Sequence, residues 1–530
     1  MANSNLRVLV LGEDTQSFLT VIRSLGAAGM EIHIAWCPLD SAALTSRYVH
    51  TVHRMPPYQA NSSEWITAFE GLIRQQRFDL ILPTTDGTTL PFQLHRERFE
   101  QIARIYLLPD EVYRTCADKG ATWDLAASLD IPLPRQLVLR NEEDARQAAA
   151  EFGYPLVLKP TRSAHVGDPL RRQQVRKAGS ESELLQMLPD MLDVGPPLVQ
   201  ENFVGMGLGV EVLCSEGRIL LAFQHERVHE RANGGGSAYR KSVALNPELL
   251  AATAKLMQAL SYTGVAMVEF KQNMESGQWI LIEINARFWG SIALSRAAGL
   301  DFPLALVSLL LAGRESFPQQ YRTGIYCRHW TRDLQWWIEN FSVDKSNKTL
   351  HSHSVLSPIF EVRHILALRE RSDTFVLSDP RPAWEDLKVY FDDKFYSILK
   401  RLKPFRVWQR KRLLKLFARA ERIVVICHGN ICRSPYAGKF LTTRMGRSAI
   451  SRGVYLKTGR PSPENAILAA QKRGIDLQQH RSALVTPEEL RVADLILVFD
   501  RRNWLSIRAI APEIMDRVAF LGASDPNRQL

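Results

Sequence analysis

At 530 residues the chain exceeds what one hydrophobic core ordinarily spans, so about three or four domains are expected. Its composition, 45% hydrophobic and 23% charged, is globular, and its net charge of +11 suits nucleic acid, an acidic membrane surface or anionic metabolites without selecting among them. Six cysteines without framework spacing argue against a disulfide scaffold. The start of the chain lacks a basic segment followed by a long apolar one, and no apolar run approaches the roughly 20 residues of a bilayer span; the longest, Leu304 to Ala312, reads as a buried helix, and a cytoplasmic location is expected.

Arg7-Val8-Leu9-Val10-Leu11-Gly12 reads as a buried strand closing on glycine, followed by helical spacing from Phe18 to Ala28. Glu31 to Trp36 and Phe78 to Thr84 supply two further strands. The β-α-β-α-β order predicts a small parallel sheet with its ligand side at the strand carboxyl ends. Only a lone glycine follows the first strand, so a supporting domain is expected in place of a dinucleotide site.

Asp118-Lys119-Gly120-Ala121-Thr122 opens a helix that Ile131-Pro132-Leu133-Pro134 breaks. Tyr154 to Pro160 is a strand that ends in Lys159. Lysines so placed can neutralise phosphate oxygens, and a solvated surface lysine is the plain alternative for either one alone. Leu198 to Val204 is a strand leading into Gly205-Met206-Gly207-Leu208-Gly209, where backbone approaches a ligand or simply turns. Arg231 to Ser237 is a second glycine-rich segment able to fold over a nucleotide. Glu269 and Glu283 fall on neighbouring strands, and period-two alternation puts Glu283 and Asn285 on one face. Such carboxylate and amide oxygens are hard ligands suited to Mg²⁺; paired or exposed strand carboxylates are the alternative.

Taken in order, Asp118-Lys119, Lys159, Gln200-Glu201-Asn202-Phe203-Val204, Glu269 and Glu283-Ile284-Asn285-Ala286-Arg287 resemble the ATP-grasp superfamily over about residues 1–315. The resemblance implies an α/β pre-domain (1–110) and an α+β nucleotide-binding domain (111–315). It also implies that Lys119 and Lys159 contact ATP phosphates and that Gln200 and Glu201 belong to the hinge holding adenine and ribose. Glu269, Glu283 and Asn285 would carry Mg²⁺, with Mn²⁺ as its substitute, and Arg287 would sit near an acyl phosphate. The implied reaction is carboxylate activation by ATP followed by attack of an amine-type acceptor. The loop from Arg162 to Asp168 is poorer in glycine than many phosphate loops of that family.

Residues 316–420 read as a helical and basic linker region. Trp330, Trp336 and Trp337 with Leu334 and Ile338 form an apolar helix face expected to be core. Residues 399–419 carry nine Lys and Arg and no acid, interleaved with apolar residues. A solvated linker helix is the first expectation there and peripheral contact with an anionic membrane the second; no nucleic-acid module accompanies it.

The run Ile423-Val424-Val425-Ile426-Cys427-His428-Gly429-Asn430-Ile431-Cys432-Arg433-Ser434-Pro435 is a buried strand, a small loop and a helix start. This layout is an anion cradle: loop N–H groups and the helix N-terminus converge, Arg433 can grip two phosphate oxygens, and Cys427 lies beneath as a nucleophile activated by positive surroundings. From Arg422 onward the chain resembles the low-molecular-weight protein tyrosine phosphatases, with supporting marks at Ser451-Arg452-Gly453, His480-Arg481-Ser482 and Ala493 to Asp500. That resemblance implies a parallel-sheet α/β phosphatase domain over 421–530, acting on phosphotyrosine protein or aryl phosphate. Cys427 would attack phosphorus, Arg433 stabilise the transition state, and Asn430 and Ser434 hold the loop. Cys432 is a protective second thiol or a buried small residue. Asp525-Pro526 is the one Asp-Pro pair after the signature, close to the end at Leu530; either Asp525 serves as the general acid, or the acid and a final helix lie beyond Leu530. The expected whole is a bifunctional enzyme; its rivals are a phosphotyrosine-binding regulatory module on a ligase and arsenate reduction through Cys432.

Overall fold

A computed structural model describes residues 6–524 apart from 39–40, 57, 59–62, 160–163, 166–167, 173–174, 193–194, 231–235, 343–356, 400 and 456–457. It falls into two units, Met1–Leu387 and Lys388–Leu530. The positive charge is confined to the second, which holds 28 Lys and Arg against 12 Asp and Glu, whereas the first holds 39 against 44.

The first unit begins with β1 (Arg7–Leu11), β2 (Glu31–Ala35), β3 (Val49–His53) and β4 (Leu80–Pro83), all parallel in the order β3-β2-β1-β4. β4 is buried throughout and β1 and β2 along all but their first residue, as expected of parallel strands covered on both faces. The edge strand β3 has no buried residue, which is why no apolar run announces it. Gly12 at the end of β1 has no room for a side chain: a Cβ there would lie 2.3 Å from Thr84 Oγ1 and 2.7 Å from the Phe18 ring. Its role is close packing.

Next come β5 (Gln136–Val138), β6 (Leu156–Lys159), the two-stranded ribbon of β7 (Ala164–His165) and β8 (Asp168–Arg172), then β9 (Arg176–Ala178) and β10 (Leu198–Glu201). An antiparallel sheet of order β5-β10-β6-β9 closes on its own core, including Leu139, Leu156, Leu158, Leu184 and Val199. The rest of the first unit is built on a seven-stranded sheet. Its strands are β11 (Met206–Ser215), β12 (Arg218–Glu230), β13 (Ser237–Val243), β14 (Gly264–Gln272), β15 (Trp279–Asn285), β16 (Tyr326–Arg328) and β17 (Glu370–Ser372), in the order β15-β14-β11-β12-β13-β16-β17.

Two sequence expectations change here. Gly207 and Gly209 lie inside β11, where a Cβ would meet Arg227 Cδ at 2.8 Å and His225 Cε1 at 2.3 Å. These glycines make room for neighbouring side chains of β12, and no turn or ligand approach is needed to explain them. The 316–420 stretch is likewise more than a helical linker, because β16 and β17 extend the large sheet and buried ion pairs tie the following residues down. Arg240 Nη2 meets Asp373 Oδ2 at 2.5 Å, and Arg23 Nε meets Asp379 Oδ2 at 2.8 Å. In helix Trp330–Ser342, Trp336 is buried and stacks on His229 at 3.8 Å, but Leu334 and Ile338 are 38% and 49% exposed. The buried stripe is Asp333, Trp336 and Asn340; Asp333 is acceptable inside because His229 and Arg328 pair with it.

No single helix among the described residues is long and apolar enough to cross a membrane. The apolar helices Ile292–Ala298 and Phe302–Ala312 bury Ile292, Leu294 and Leu306 in the core that also holds β1 and β2.

In the second unit β18 (Ile423–Cys427), β19 (Ala449–Gly453), β20 (Leu495–Val498) and β21 (Val518–Phe520) form a parallel sheet of order β19-β18-β20-β21. Every residue of β18 and β20 is buried. The basic helix Lys403–Arg419 belongs to this unit: Leu413 enters its core, and Arg412 donates to the carbonyls of Val518 and Asp516. Trp408 and Leu414 on the same helix are about half exposed.

Candidate active sites

β18 delivers Cys427 at its carboxyl end, and the helix Arg433–Met445 begins five residues after His428 opens the loop. Cys427, Asn430 and Ser434 are all nearly inaccessible. The Asn430 N–H donates to Cys427 Sγ at 3.2 Å, and Ser434 Oγ lies 3.0 Å from the same sulfur. Asn430 is left-handed, with φ 49°, a conformation asparagine tolerates better than most residues. Its side chain is used at both ends: Nδ2 donates to Ser434 Oγ at 2.9 Å, and Oδ1 accepts the Ala483 N–H at 2.8 Å. Its carbonyl accepts from His480 Nε2 at 2.7 Å, which fixes the tautomer of that ring. Together these bonds hold the loop in a shape where donors face the sulfur.

Arg433 is half exposed and pairs with Asp500 at 2.8 Å while lying over Phe499. Asp500 also caps the helix Arg501–Ile510 by accepting the Asn503 N–H. Burial works against its charge, but that N–H and Arg433 outweigh the effect and hold its carboxyl below the usual range. Arg460 Nη2 donates to Gly429 O at 2.6 Å, a loop contact that no motif pointed to. Burial raises the Cys432 thiol. Asp525 lies outside the described residues. The Asp500 contact was findable in principle, because an aspartate just after a buried strand and before a helix is a capping signal.

In the first unit the expected ATP-site residues converge from scattered segments. Asp118 caps helix Lys119–Ser128 and so sets Lys119 at its first position, from which Nζ reaches Glu283 Oε2 at 3.2 Å. β14 and β15 are antiparallel and in register at Glu269 and Glu283. Asn285 Nδ2 donates to Glu269 Oε1 at 3.1 Å and to Glu283 Oε1 at 3.2 Å, so the three side chains meet at one point. A cavity of about 130 Å³ is lined by Lys119, Lys159, Gln200, Glu201, Glu269 and Glu283. An adjoining one of about 480 Å³ shares Lys119 and Glu283 and adds Asn285 and Arg287. Gln200 donates to Gln136, while Glu201 accepts from Arg135 N and Nε at 3.0 and 2.8 Å.

Cationic and anionic side chains share the cavity and shift one another's protonation. Burial pushes the Lys159 ammonium down to about 8, against the pull of Glu283 and with the help of Lys119 and Lys271. Burial would raise Glu283, yet Lys119 and Lys159 hold it below the usual carboxylate range. Glu269 is raised by burial and by Glu283, with Arg227 opposing at 2.7 Å. Sequence reasoning missed Arg227, and also Lys177, whose ammonium burial lowers to about 8. Among the described residues no three His, Cys, Asp or Glu side chains are grouped to hold a metal. The donor set is two carboxylates and one amide, which fits a hard cation such as Mg²⁺ that completes its shell with water and phosphate oxygens.

A cysteine at a strand end, a loop whose Asn430 N–H faces its sulfur and an arginine at the following helix, set on a parallel sheet, define the architecture of a cysteine-loop phosphatase. Residues 422–529 match the family described as low molecular weight phosphotyrosine protein phosphatase. The protein-tyrosine-phosphatase Etp of Escherichia coli (strain K12) is 35% identical over 101 residues, which are 19% of this chain and 68% of that protein. Through its second unit the chain belongs to this family.

The first unit has the ATP-grasp fold. Residues 194–332 match the family described as ATP-grasp in the biosynthetic pathway with Ter operon. The D-alanine--D-alanine ligase of Pseudomonas entomophila (strain L48) is 31% identical over 209 residues, covering 36% of this chain. The chain spans 63% of that ligase's length. In solved structures the biotin carboxylase of Campylobacter jejuni, in a beta-gamma-ATP complex, superposes with a TM-score of 0.50 at 17% identity, covering 60% of this chain and 74% of that one. That likeness concerns the fold.

Proposed function

We propose that the chain joins two activities: ATP-dependent ligation of a small carboxylate to an amine-type acceptor, and hydrolysis of phosphotyrosine or another aryl phosphate. For the ligase, the observation that carries the reading is the convergence of Lys119, Lys159, Glu269, Glu283 and Asn285 beside one cavity. Lys119 and Lys159 would contact ATP phosphates, and Gln200 and Glu201 would border adenine and ribose. Glu269, Glu283 and Asn285 would hold Mg²⁺, or Mn²⁺ in its place, which would supply charge neutralisation at the phosphate oxygens. A carboxylate oxygen attacks the γ-phosphorus as ADP leaves, and the amine then attacks the acyl carbon and expels phosphate. Arg287 steadies the acyl phosphate's negative oxygens.

For the phosphatase, the carrying observation is the left-handed Asn430 that turns its N–H onto Cys427 Sγ. The thiolate attacks phosphorus while Arg433 grips two equatorial oxygens. The phenolate leaves with a proton from Asp525, the proposed acid, and water then hydrolyses the cysteinyl phosphate. Release of Arg433 from Asp500 accompanies binding of the phosphate. Both reactions are assigned to the cytoplasm. The excess charge of residues 388–530, with the half-exposed Trp408 and Leu414, supports peripheral contact with anionic lipid; sedimentation of the full chain with phosphatidylserine vesicles but not phosphatidylcholine vesicles tests it.

Aryl-phosphate hydrolysis compared between the full chain and Cys427→Ser tests the phosphatase. Equal and negligible rates in both would remove the catalytic reading and leave a phosphotyrosine-binding module. For the ligase, thermal stabilisation by MgATP should be present in the full chain and absent in a Lys159→Ala, Glu283→Ala double variant.

A further inference from the structure

The second unit carries an apolar face that its own core does not use. The helix Arg381–Leu399 enters this unit at Lys388, and from there Phe391, Phe395 and Ile398 recur at helical spacing, continued by Leu402 in the connection that follows. These four side chains are between 49% and 62% exposed. The helix is held from its other side, where Tyr396 packs on the core of the unit with its ring 5.3 Å from that of Phe520 and the Arg501 guanidinium over it at 5.0 Å. The helix Lys403–Arg419 is arranged alike. Gln409 and Leu413 are buried and Leu416 packs on the same core, whereas helical spacing sets Val407 and Leu414 on the outer side, where both are exposed. Beside them on that side stand Lys403, Arg410, Lys411 and Lys415, all exposed and, among the described residues, without a carboxylate partner. Single exposed apolar side chains are ordinary on a protein surface, but six at helical spacing on two consecutive helices are not scattered.

Charge decides what this face meets. Residues 399–419 carry nine Lys and Arg and no acid, and the whole second unit has 28 Lys and Arg against 12 Asp and Glu. A second copy seated here would bring like charges together around the apolar contact. A bilayer with anionic headgroups satisfies both kinds of side chain. Phenyl and aliphatic groups enter the boundary between headgroups and acyl chains, while lysine and arginine reach the anionic groups of the lipid. Trp408, about half exposed on the same basic helix, has the amphipathic ring that settles at that depth. We infer that Phe391, Phe395, Ile398 and Leu402 insert into an anionic membrane leaflet, with Val407 and Leu414 beside them and Lys403, Arg410, Lys411 and Lys415 on the lipid headgroups. The inference rests on the peripheral-contact reading and goes beyond adsorption by charge, because it gives the contact an inserted apolar face on the helix that precedes the basic one.

The test is sedimentation of the full chain with phosphatidylcholine vesicles containing about one third phosphatidylserine, compared with vesicles of phosphatidylcholine alone. The double variant Phe391→Ser, Phe395→Ser should weaken partitioning onto the anionic vesicles by about tenfold or more. The double variant Arg410→Glu, Lys411→Glu should lose the preference for anionic vesicles. Salt at about 0.5 M should reduce binding of the unaltered chain and leave a remainder that the phenylalanine variant lacks. All four positions are exposed, and unchanged thermal unfolding of each variant separates these effects from lost folding. If the phenylalanine variant binds as the unaltered chain does, insertion is overturned and adsorption by charge remains. If the unaltered chain does not sediment with anionic vesicles, the peripheral-contact reading falls together with the inference. If the chain is instead a dimer in vesicle-free solution that Phe391→Ser, Phe395→Ser dissociates, the face belongs to a second copy and the inference is overturned.

Discussion

The two sites are assembled in opposite ways. In the second unit, cysteine, loop and arginine come from the contiguous run 427–434, and distant residues such as His480, Ala483 and Asp500 only brace it. In the first unit, the site gathers Lys119, Lys159, Gln200, Glu269, Glu283 and Arg287 from separate strands and helices, and its geometry depends on the register of β14 on β15. A local site depends on one loop conformation, whereas a dispersed one depends on the whole scaffold. Damage should therefore spread differently in the two.

The largest effect is expected at the local site. Cys427→Ser should lower aryl-phosphate turnover by roughly 10⁴ to 10⁶, as removal of a nucleophile does elsewhere, while MgATP stabilisation of the same protein is unchanged; a loss in both assays would break the contrast. Asp525→Asn should slow the same reaction by about 10² to 10⁴, most for poor leaving groups, and a rate equal to the unaltered chain would remove Asp525 as the acid. At the dispersed site, Glu283→Gln should cost about 10² to 10³ in ATP-dependent turnover, because it removes together the 3.2 Å partner of Lys119 and a proposed cation ligand.

Arg23→Ala, far from either chemistry, should destabilise the first unit by about 3–5 kcal/mol by leaving the Asp379 carboxylate buried without its cation, with the phosphatase rate unaffected. Calorimetry of the two transitions reads this directly. The smallest effect concerns pH. The Lys159 ammonium, lowered to about 8, loses its proton as pH rises through that value, so KM for ATP should climb severalfold between about pH 7 and 9, and Lys159→Arg should abolish the climb. The same shift has an opposite sign for folding: the unfolded chain binds this proton more tightly, so the contribution of Lys159 to stability is least below pH 8 and rises toward the unfolded value near 10.4.

What could be read from the sequence follows the same division. The cysteine loop was legible because its chemistry is contiguous, and Glu283 and Asn285 because strand periodicity is short. Cross-strand partners were not. Nothing local to Arg227 tells that β12 brings it to the site whose carboxylate it grips. The strand glycines were ambiguous for a related reason, since their constraint comes from Arg227 and His225 across the ladder. β3, β16 and β17 were missed because short or edge strands carry no sustained apolar run. The burial of Asp333 and Asn340 in place of Leu334 and Ile338 was invisible too, because polar residues go inside only where partners from elsewhere neutralise them.

The ion pairs at Asp373 and Asp379 set where this protein can be cut. Asp373 answers Arg240 and takes a bond from Cys327, and Asp379 answers Arg23 and accepts from Ser46 and the Arg47 N–H. A fragment ended near 315, beyond Arg287 and every other proposed ATP-site residue, would leave the buried guanidinium groups of Arg23 and Arg240 without their carboxylates, so the smallest portable ATP-grasp module extends past Asp379.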